Sequence, residues 1–345
     1  MHFLARSAAS DLDIRTIYLG GHPEVLPVQH LKDLLRALSK TFNLRKTAEV
    51  SLETTPTWRD SALYRDLRRL GLNRVALEVA GVYPEALGLL GKDYQYQDIN
   101  HALQGIREAG IENLSLDLSY GLPGQGRSHW RAVLDAALDF RPVHLTVSAF
   151  EPEEGSLIQR WVGRGLLGLP PTGQSVEMYQ EAMGRFREAG YRQYELTSWS
   201  KPGSQCQHNL AYWRLEPYLG LGVGAVGFAA GKRTRNIQSP SSYTETLLRA
   251  EDPAPFPATP ASEIVQDLSA EQHMQDAVLM GLHLTEEGIS RKRFRERFGK
   301  ELGSVFEKQI RKLDRQGLLS WEEDRLRLTA EGILHSRYVL FHFVD

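Results

Sequence analysis

The chain has 345 residues, of which 41 are Lys or Arg and 43 are Asp or Glu, for a formal net charge of −2. That length suffices for an α/β core plus a smaller second domain, and the near-neutral balance gives no sign of a nucleic-acid or acidic-membrane partner. A single cysteine, Cys206, excludes an internal disulfide and cannot alone supply the three or four thiolates of an iron–sulfur cluster.

No run approaches the ~20 continuous apolar residues of a membrane span. The polar start does not read as a secretory signal, so a cytoplasmic protein is expected.

Residues 14–19 (IRTIYL) are β-branched and aromatic and stop at Gly20-Gly21, which predicts a strand and a turn. Leu31, Leu34, Leu35 and Leu38 have helical spacing, predicting a helix over 28–41. A strand over 48–52 follows, then a helix over 60–70 with Gly71 in the C-cap position. The alternation continues with a strand over 74–79, a helix over 99–109 closed by Gly110, and a strand over 114–118. Next come a helix over 130–140, a strand over 144–148, a helix over 176–189 closed by Gly190, and a strand over 194–198.

Strands separated by helices of this length imply parallel βαβ units, and a β/α barrel, open or closed, fits best. Function in such folds sits at the C-terminal strand ends. Here those are Gly20-Gly21, Glu53, Val79-Ala80, Asp117 to Tyr120, Ser148 and Thr197-Ser198.

Residues 251–262 (EDPAPFPATPAS) are proline-rich and lack an apolar period, which reads as a linker. Helices over 272–284, 290–298 and 304–316, then a hairpin over 318–328 turning at 322–324, predict a winged-helix-like domain. The expected organisation is therefore 1–250 as barrel and adjoining segment, 251–262 as linker and 263–345 as a C-terminal α+β domain.

Two glycine runs need no ligand. Gly20-Gly21 reads as a strand-end turn. Gly222 to Gly227 formally matches GxGxxG, but the following FAAGKRTR is basic and broken by glycine, so no phosphate-binding helix follows. His335 and His342 read as surface or packing histidines. Residues 291–297 (RKRFRER) read as a solvated basic face, with no nucleic-acid partner expected.

Several runs resemble one family over nearly the whole chain from about Ile14. Tyr18-Leu19-Gly20-Gly21 with Pro23 is similar to the YFGGGTP turn of the oxygen-independent coproporphyrinogen III oxidase-like radical S-adenosylmethionine (SAM) proteins. DLSYGLPGQ at 117–125 is close to that family's DLIYGLPGQ, and CQHNLAYW at 206–213 carries the HNxxYW signature of its HemW heme-chaperone subgroup. Tyr194-Glu195-Leu196, Pro202-Gly203, Tyr218 to Gly222, Leu282 to Leu284 and Arg327 to Thr329 extend the resemblance.

The resemblance implies an incomplete (β/α) barrel of the radical SAM type with a winged-helix-like C-terminal domain. It also implies heme or porphyrin binding, with delivery to a heme-acceptor protein or regulation.

Departures from the family pattern qualify the chemistry. About a dozen residues precede the first clear strand, where the family has a strand, a CxxxCxxC loop and a long helix. His2-Phe3-Leu4 is the candidate replacement for that strand. The family's GVQS reads Glu78-Val79-Ala80-Gly81, its GRxH reads Gly91-Lys92-Asp93-Tyr94, and its GPGAHS reads Gly222 to Gly227. An iron–sulfur cluster is accordingly not expected and SAM is doubtful. Gly20, Gly21, Glu53 and Asp117 remain as residual SAM-pocket positions, and Asp117 either contacts ligand or caps the next segment.

His208 is the candidate axial ligand for heme iron, since a neutral imidazole serves that role, and Cys206 is a soft alternative. Asn209, Tyr212 and Trp213 complete the candidate heme site, the two rings by stacking on a porphyrin. The alternative is that these three residues brace a loop. The expected protein is catalytically degenerate. Its rivals are a radical SAM enzyme whose cysteine segment lies upstream of this start, a non-catalytic interaction scaffold and, last, a DNA-binding regulator. An exposed edge on the strand at 14–19 would favour self-association unless residues 2–5 cover it.

Overall fold

The computed structural model describes Phe3 and residues 12–344. Seven strands form one sheet in the order β1-β2-β3-β4-β5-β7-β6. They are β1 (Asp13–Leu19), β2 (Asn43–Thr54), β3 (Arg74–Val79), β4 (Asn113–Tyr120), β5 (His144–Ala149), β6 (Arg192–Glu195) and β7 (Ser198–Ser200). The connecting helices are α1 (Val28–Thr41), α2 (Ser61–Arg69), α3 (Pro84–Leu89), α4 (Tyr96–Glu108), α5 (Arg127–Asp139), α6 (Leu157–Gly163) and α7 (Thr172–Glu188). The sheet is an open half-barrel, one of the two expected forms.

Strand alternation explains how the half-barrel makes a site. One set of side chains, Val50, Leu52, Val75, Leu77, Leu114, Leu116, Leu145 and Val147, is buried and apolar. The alternate set is polar: Ser51, Glu53, Arg74, Glu78, Ser115, Asp117, His144 and Thr146. A period of two puts these sets on opposite faces. Several of the polar residues, among them Ser51, Arg74, Ser115 and His144, are nonetheless buried, so the polar face has to satisfy itself by hydrogen bonding.

The sequence-predicted strand over 194–198 is corrected. It divides into β6 and β7, which pair antiparallel, and β7 also pairs antiparallel with β5. The cause is local: the Glu195 carboxylate accepts from the Thr197 backbone N–H (3.0 Å) and hydroxyl (2.9 Å), which closes a tight turn inside the run. The predicted helix over 304–316 also divides, at Phe306 (φ −113°, ψ 32°), into α12 and α13, whose ranges are given below. β1 is an end strand of the sheet. Of the segment expected to cover it, His2, Leu4 and Ala5 lie outside the described residues, while Phe3 is helical and buried rather than extended.

The chain divides into two compact units. One contains Tyr18–Lys32 and Glu49–Gln205, and so the strand ends of β2 to β7. There the indole N–H of Trp130 on α5 donates to the Met178 carbonyl on α7 (2.8 Å), fixing two helices that follow neighbouring strands. The other contains residues 12–17, Asp33–Ala48 and everything from Cys206 onward.

In that second unit Leu38 and Phe42 of α1 pack with Ile14, Ile17, Leu34, Leu44, Leu219 and Phe256. It holds α8 (Gln207–Trp213), strands β8 (Val226–Ala229), β9 (Lys232–Asn236) and β10 (Ser262–Asp267), and α9 (Pro240–Arg249). The three strands form an antiparallel sheet that the sequence reading did not anticipate. The C-terminal part has α10 (Ala270–Gly281), β11 (Ile289–Ser290), α11 (Arg291–Phe298), α12 (Leu302–Val305), α13 (Glu307–Arg315), β12 (Leu319–Glu322), β13 (Arg325–Leu328), α14 (Ala330–Leu334) and α15 (Ser336–Phe341). The hairpin and the helices before it appear in the predicted order. Among the described residues no helix is long and apolar enough to cross a membrane.

Candidate functional site

The C-terminal ends of β2, β3 and β4 bring Glu53, Glu78 and Asp117 within electrostatic reach of one another. Tyr18 donates its hydroxyl to Glu53 Oε2 (3.2 Å). A side chain at Gly20 would begin 3.1 Å from the same oxygen, so the glycine turn is kept open by the carboxylate beside it. Burial pushes the Glu53 pKa up, and the Asp117 charge adds to it. Asp117 is likewise raised by burial, opposed by hydrogen bonds from Ser115 and Thr146. Its reading as a cap for the next segment has no hydrogen bond to support it, since those partners lie on β4 and β5.

A hydrogen-bonded chain leads away from Asp117. Ser115 Oγ donates to Asp117 Oδ1 (2.9 Å) and meets His144 Nδ1 (2.8 Å), while His144 Nε2 meets the Tyr194 hydroxyl (2.9 Å). One proton assignment satisfies every member: Tyr194 donates to Nε2, Nδ1–H donates to Ser115, and Ser115 donates to Asp117. Burial, aided by the nearby Arg74 charge, holds the His144 pKa well below its usual value, so the imidazole is neutral. Nothing in the sequence singled out His144 or Tyr194 as partners of Asp117, because their spacing of 27 and 77 positions has meaning only in the sheet.

The altered family positions prove to be coupled. Lys92 Nζ pairs with Glu78 Oε1 at 2.5 Å, and the buried Tyr94 hydroxyl accepts the Ala80 backbone N–H at 3.0 Å. Two departures that look independent along the chain are one local closure, in which each new side chain occupies a polar group of the other motif. Gly222 to Gly227 close similarly on themselves. The Asn236 amide donates to the carbonyls of Gly220 (3.1 Å) and Gly222 (2.9 Å), and a side chain at Gly220 would sit 2.3 Å from the Val226 carbonyl oxygen. β8 begins at Val226 inside this run, so a strand stands where a phosphate-binding helix would start.

Among the described residues no group of three or more His, Cys, Asp or Glu side chains is placed to hold a metal ion. Cys206 is buried at the N-cap of α8. The residues present therefore do not fit a four-iron cluster.

The other candidate site is α8. His208 uses both ring nitrogens: Nδ1 meets Thr16 Oγ1 (2.9 Å) and Nε2 meets the Tyr212 hydroxyl (2.8 Å). Both tautomers satisfy these two bonds; in the one with Nδ1–H donating to Thr16, Nε2 accepts from Tyr212. In that tautomer the Nε2 lone pair an iron would take faces the Tyr212 hydroxyl, and the opposite nitrogen has the kind of partner that orients ligating histidines. Tyr212 also packs edge-on against Tyr218 (4.5 Å between centroids), and burial raises its pKa to about 12. Trp213 lies flat on His283 (4.2 Å, 3°), so one indole face is covered. Asn209 is half-buried. Thr16 was not singled out in the sequence, and His283 appeared only within the 282–284 run of the resemblance, with no role at α8.

The basic run 291–297 is largely engaged. Arg291 lies over the Trp321 ring, Arg293 and Arg295 pair with Glu287 and Glu301, and Arg297 donates to the Leu215 carbonyl. His335 pairs with Glu331, and His342 meets Lys312.

The Radical SAM superfamily model matches residues 5–137, and the HemN C-terminal domain model matches residues 268–335. The heme chaperone HemW of Bacillus subtilis (strain 168) is 30% identical over 334 residues, 96% of this chain and 86% of that protein. The chain belongs to the HemW family of radical SAM proteins. A second HemW relative, from Mycobacterium tuberculosis (strain ATCC 25618 / H37Rv), is 31% identical over 95% of this chain and 80% of its own length. The fold of the HemW-like chain is also that of the radical SAM enzyme coproporphyrinogen III oxidase (HemN) from Escherichia coli. That structure superposes with a TM-score of 0.79 at 19% identity, covering 96% of this chain and 78% of that one. In this HemW-like chain, α8 carries the HNxxYW run, and Glu78 with Lys92 and Ala80 with Tyr94 are paired in the fold.

Proposed function

We propose that this chain is a HemW-type heme- or porphyrin-binding protein that does not carry out radical SAM chemistry within residues 1–345, and that passes heme to an acceptor protein. The observation that carries the reading is α8. His208 presents an imidazole whose Nδ1 is hydrogen-bonded to Thr16 and whose Nε2 is hydrogen-bonded to the Tyr212 hydroxyl, a contact that a rotation of Tyr212 would break. Bound heme would supply an iron that takes axial nitrogen or sulfur ligands. Toward it, His208 would be the ligand, Thr16 would hold the ring, and Cys206 would be the thiol alternative. Tyr212, Trp213 and Asn209 would line the approach. The curated relatives are heme chaperones by name, which supports heme as the cargo. We further place the barrel and adjoining segment at 1–250, a linker at 251–262 and the winged-helix-like domain at 263–345.

The closed pairs Glu78–Lys92 and Ala80–Tyr94 support the non-catalytic half of the reading, because the polar groups at those positions are already satisfied. Two measurements test it. Hemin titration should give a shifted Soret band in the wild type that changes in His208→Ala and persists in Cys206→Ser. The reverse pattern assigns the iron to Cys206. Incubation with SAM and dithionite should release no 5′-deoxyadenosine above a protein-free control, and turnover would restore the enzyme reading.

A further inference from the structure

The connection between β5 and α7 has an unusual makeup. Residues 153–171 contain no fully buried residue, and in α6 at its centre (LIQRWVG) every side chain is exposed or half-buried. Leu157 is 56% exposed, Trp161 38%, Leu166 68% and Leu169 39%. A helix of one to two turns is marginal in water without packing, yet this one is closed at both ends. Ser156 Oγ accepts from the Gln159 N–H (3.1 Å), and Gln159 Oε1 accepts from the Gly155 N–H (2.7 Å). At the other end the N–H groups of Gly165 and Leu166 donate to the carbonyls of Val162 (3.0 Å) and Trp161 (2.9 Å). Gly165 takes the positive φ of 71° that this closure needs. The turn sets Leu166 next to Trp161 in the way such caps do. Gly168 accepts from the Gly124 N–H (3.3 Å), which ties the segment to the turn after β4.

The exposed side chains share one face. Leu157, Arg160, Trp161 and Arg164 follow the i, i+3, i+4, i+7 pattern of a single helix stripe. Both arginines are exposed, and neither has an ion pair among the described residues, although Glu153 and Glu154 lie just upstream. The stripe therefore offers an indole and a leucine with two free guanidinium groups one turn apart, at the C-terminal rim of the strands. An exposed apolar patch edged by charge marks a binding surface.

We infer that α6 is a docking platform for a tetrapyrrole dicarboxylate, with Leu157, Trp161 and Leu166 against the macrocycle and Arg160 and Arg164 on its carboxylate arms. This rests on the heme reading above and adds to it a surface in the other unit of the chain. The ligand chemistry follows from the stripe. A flat apolar ring matches Trp161, and two anionic arms match two cations that are otherwise unpaired.

The test titrates hemin and iron-free protoporphyrin IX into four proteins: wild type, Leu157→Ser/Trp161→Ser, Arg160→Glu/Arg164→Glu and His208→Ala. No residue of α6 is fully buried, so the platform variants should keep the wild-type circular dichroism and melting behaviour. Both platform variants should bind both ligands about tenfold more weakly. The protoporphyrin dimethyl ester, which has no carboxylates, should bind the charge-reversed variant and wild type alike. His208→Ala should alter the hemin spectrum and leave iron-free porphyrin affinity unchanged. Wild type that binds no tetrapyrrole sinks the heme reading and the platform together. Unchanged affinity in both platform variants, with His208→Ala still altering the spectrum, sinks the platform alone. A change of oligomeric state in the platform variants without loss of porphyrin affinity would also overturn it, in favour of a second copy on this face.

Discussion

Replacing Tyr212 with Phe should tighten hemin binding. The substitution removes one hydroxyl and keeps the ring that packs against Tyr218. In the native protein that hydroxyl holds His208 Nε2 at 2.8 Å, and the bond has to break before the nitrogen can ligate iron. A neutral protein hydrogen bond has a net worth of about 0.5–1.5 kcal/mol. Removing the competitor should thus lower the hemin Kd by about two- to twelvefold. Thr16→Val provides the opposite sign. It deletes the hydroxyl hydrogen-bonded to Nδ1 (2.9 Å) and weakens the hold on the ring's orientation, so affinity should fall by roughly tenfold or more. Absorbance titration at fixed ionic strength, with circular dichroism to confirm folding, reads both. Hemin affinity that is unchanged or weaker in a folded Tyr212→Phe protein would refute the claim that this hydroxyl competes with iron.

Four further outcomes follow from the half-barrel. A double-mutant cycle on Lys92→Met and Glu78→Gln should show about 1 kcal/mol of coupling in urea unfolding, since the pair is only partly shielded, and strictly additive effects would remove the closure argument. Tyr94→Phe should cost about 1–3 kcal/mol, because it leaves the Ala80 N–H without its acceptor. His144 is held neutral with a pKa well below 6.5, so the unfolded chain binds a proton that the native state refuses. Stability should fall as pH drops through and below 6.5, with a slope of at most about 1.4 kcal/mol per pH unit, and His144→Gln should remove that component. Asp117 has the opposite sign: its raised pKa means the native state keeps its proton longer, so its contribution declines as pH rises from 3.8 through the higher folded value. Asp117→Asn should consequently unfold at a higher urea concentration than wild type at neutral pH, and a lower midpoint would show that the ionised carboxylate is fully compensated.

The residue pattern alone determined much of this protein. β-branched runs ending in glycine, and apolar residues at helical spacing, placed the helix at Val28–Thr41 and the strand at Arg74–Val79, because local propensity and amphipathic period agree there. The HNxxYW and YGLPGQ runs pointed to the HemW-like family, and one cysteine limited its metal chemistry. The pattern could not divide 194–198 into two antiparallel strands, since the deciding bonds come from the Glu195 side chain to its own turn. It also listed Glu78, Ala80, Lys92 and Tyr94 as separate departures, and only folding made them two contacts. The relay from Tyr194 through His144 and Ser115 to Asp117 exists because neighbouring strands set residues far apart in sequence side by side. The same holds for His208: its chemical type was legible, but the tertiary structure decided that Thr16 and Tyr212 control its two nitrogens. Hydrogen-bond partners across strands leave no periodic trace in a single sequence, whereas the elements that carry them do.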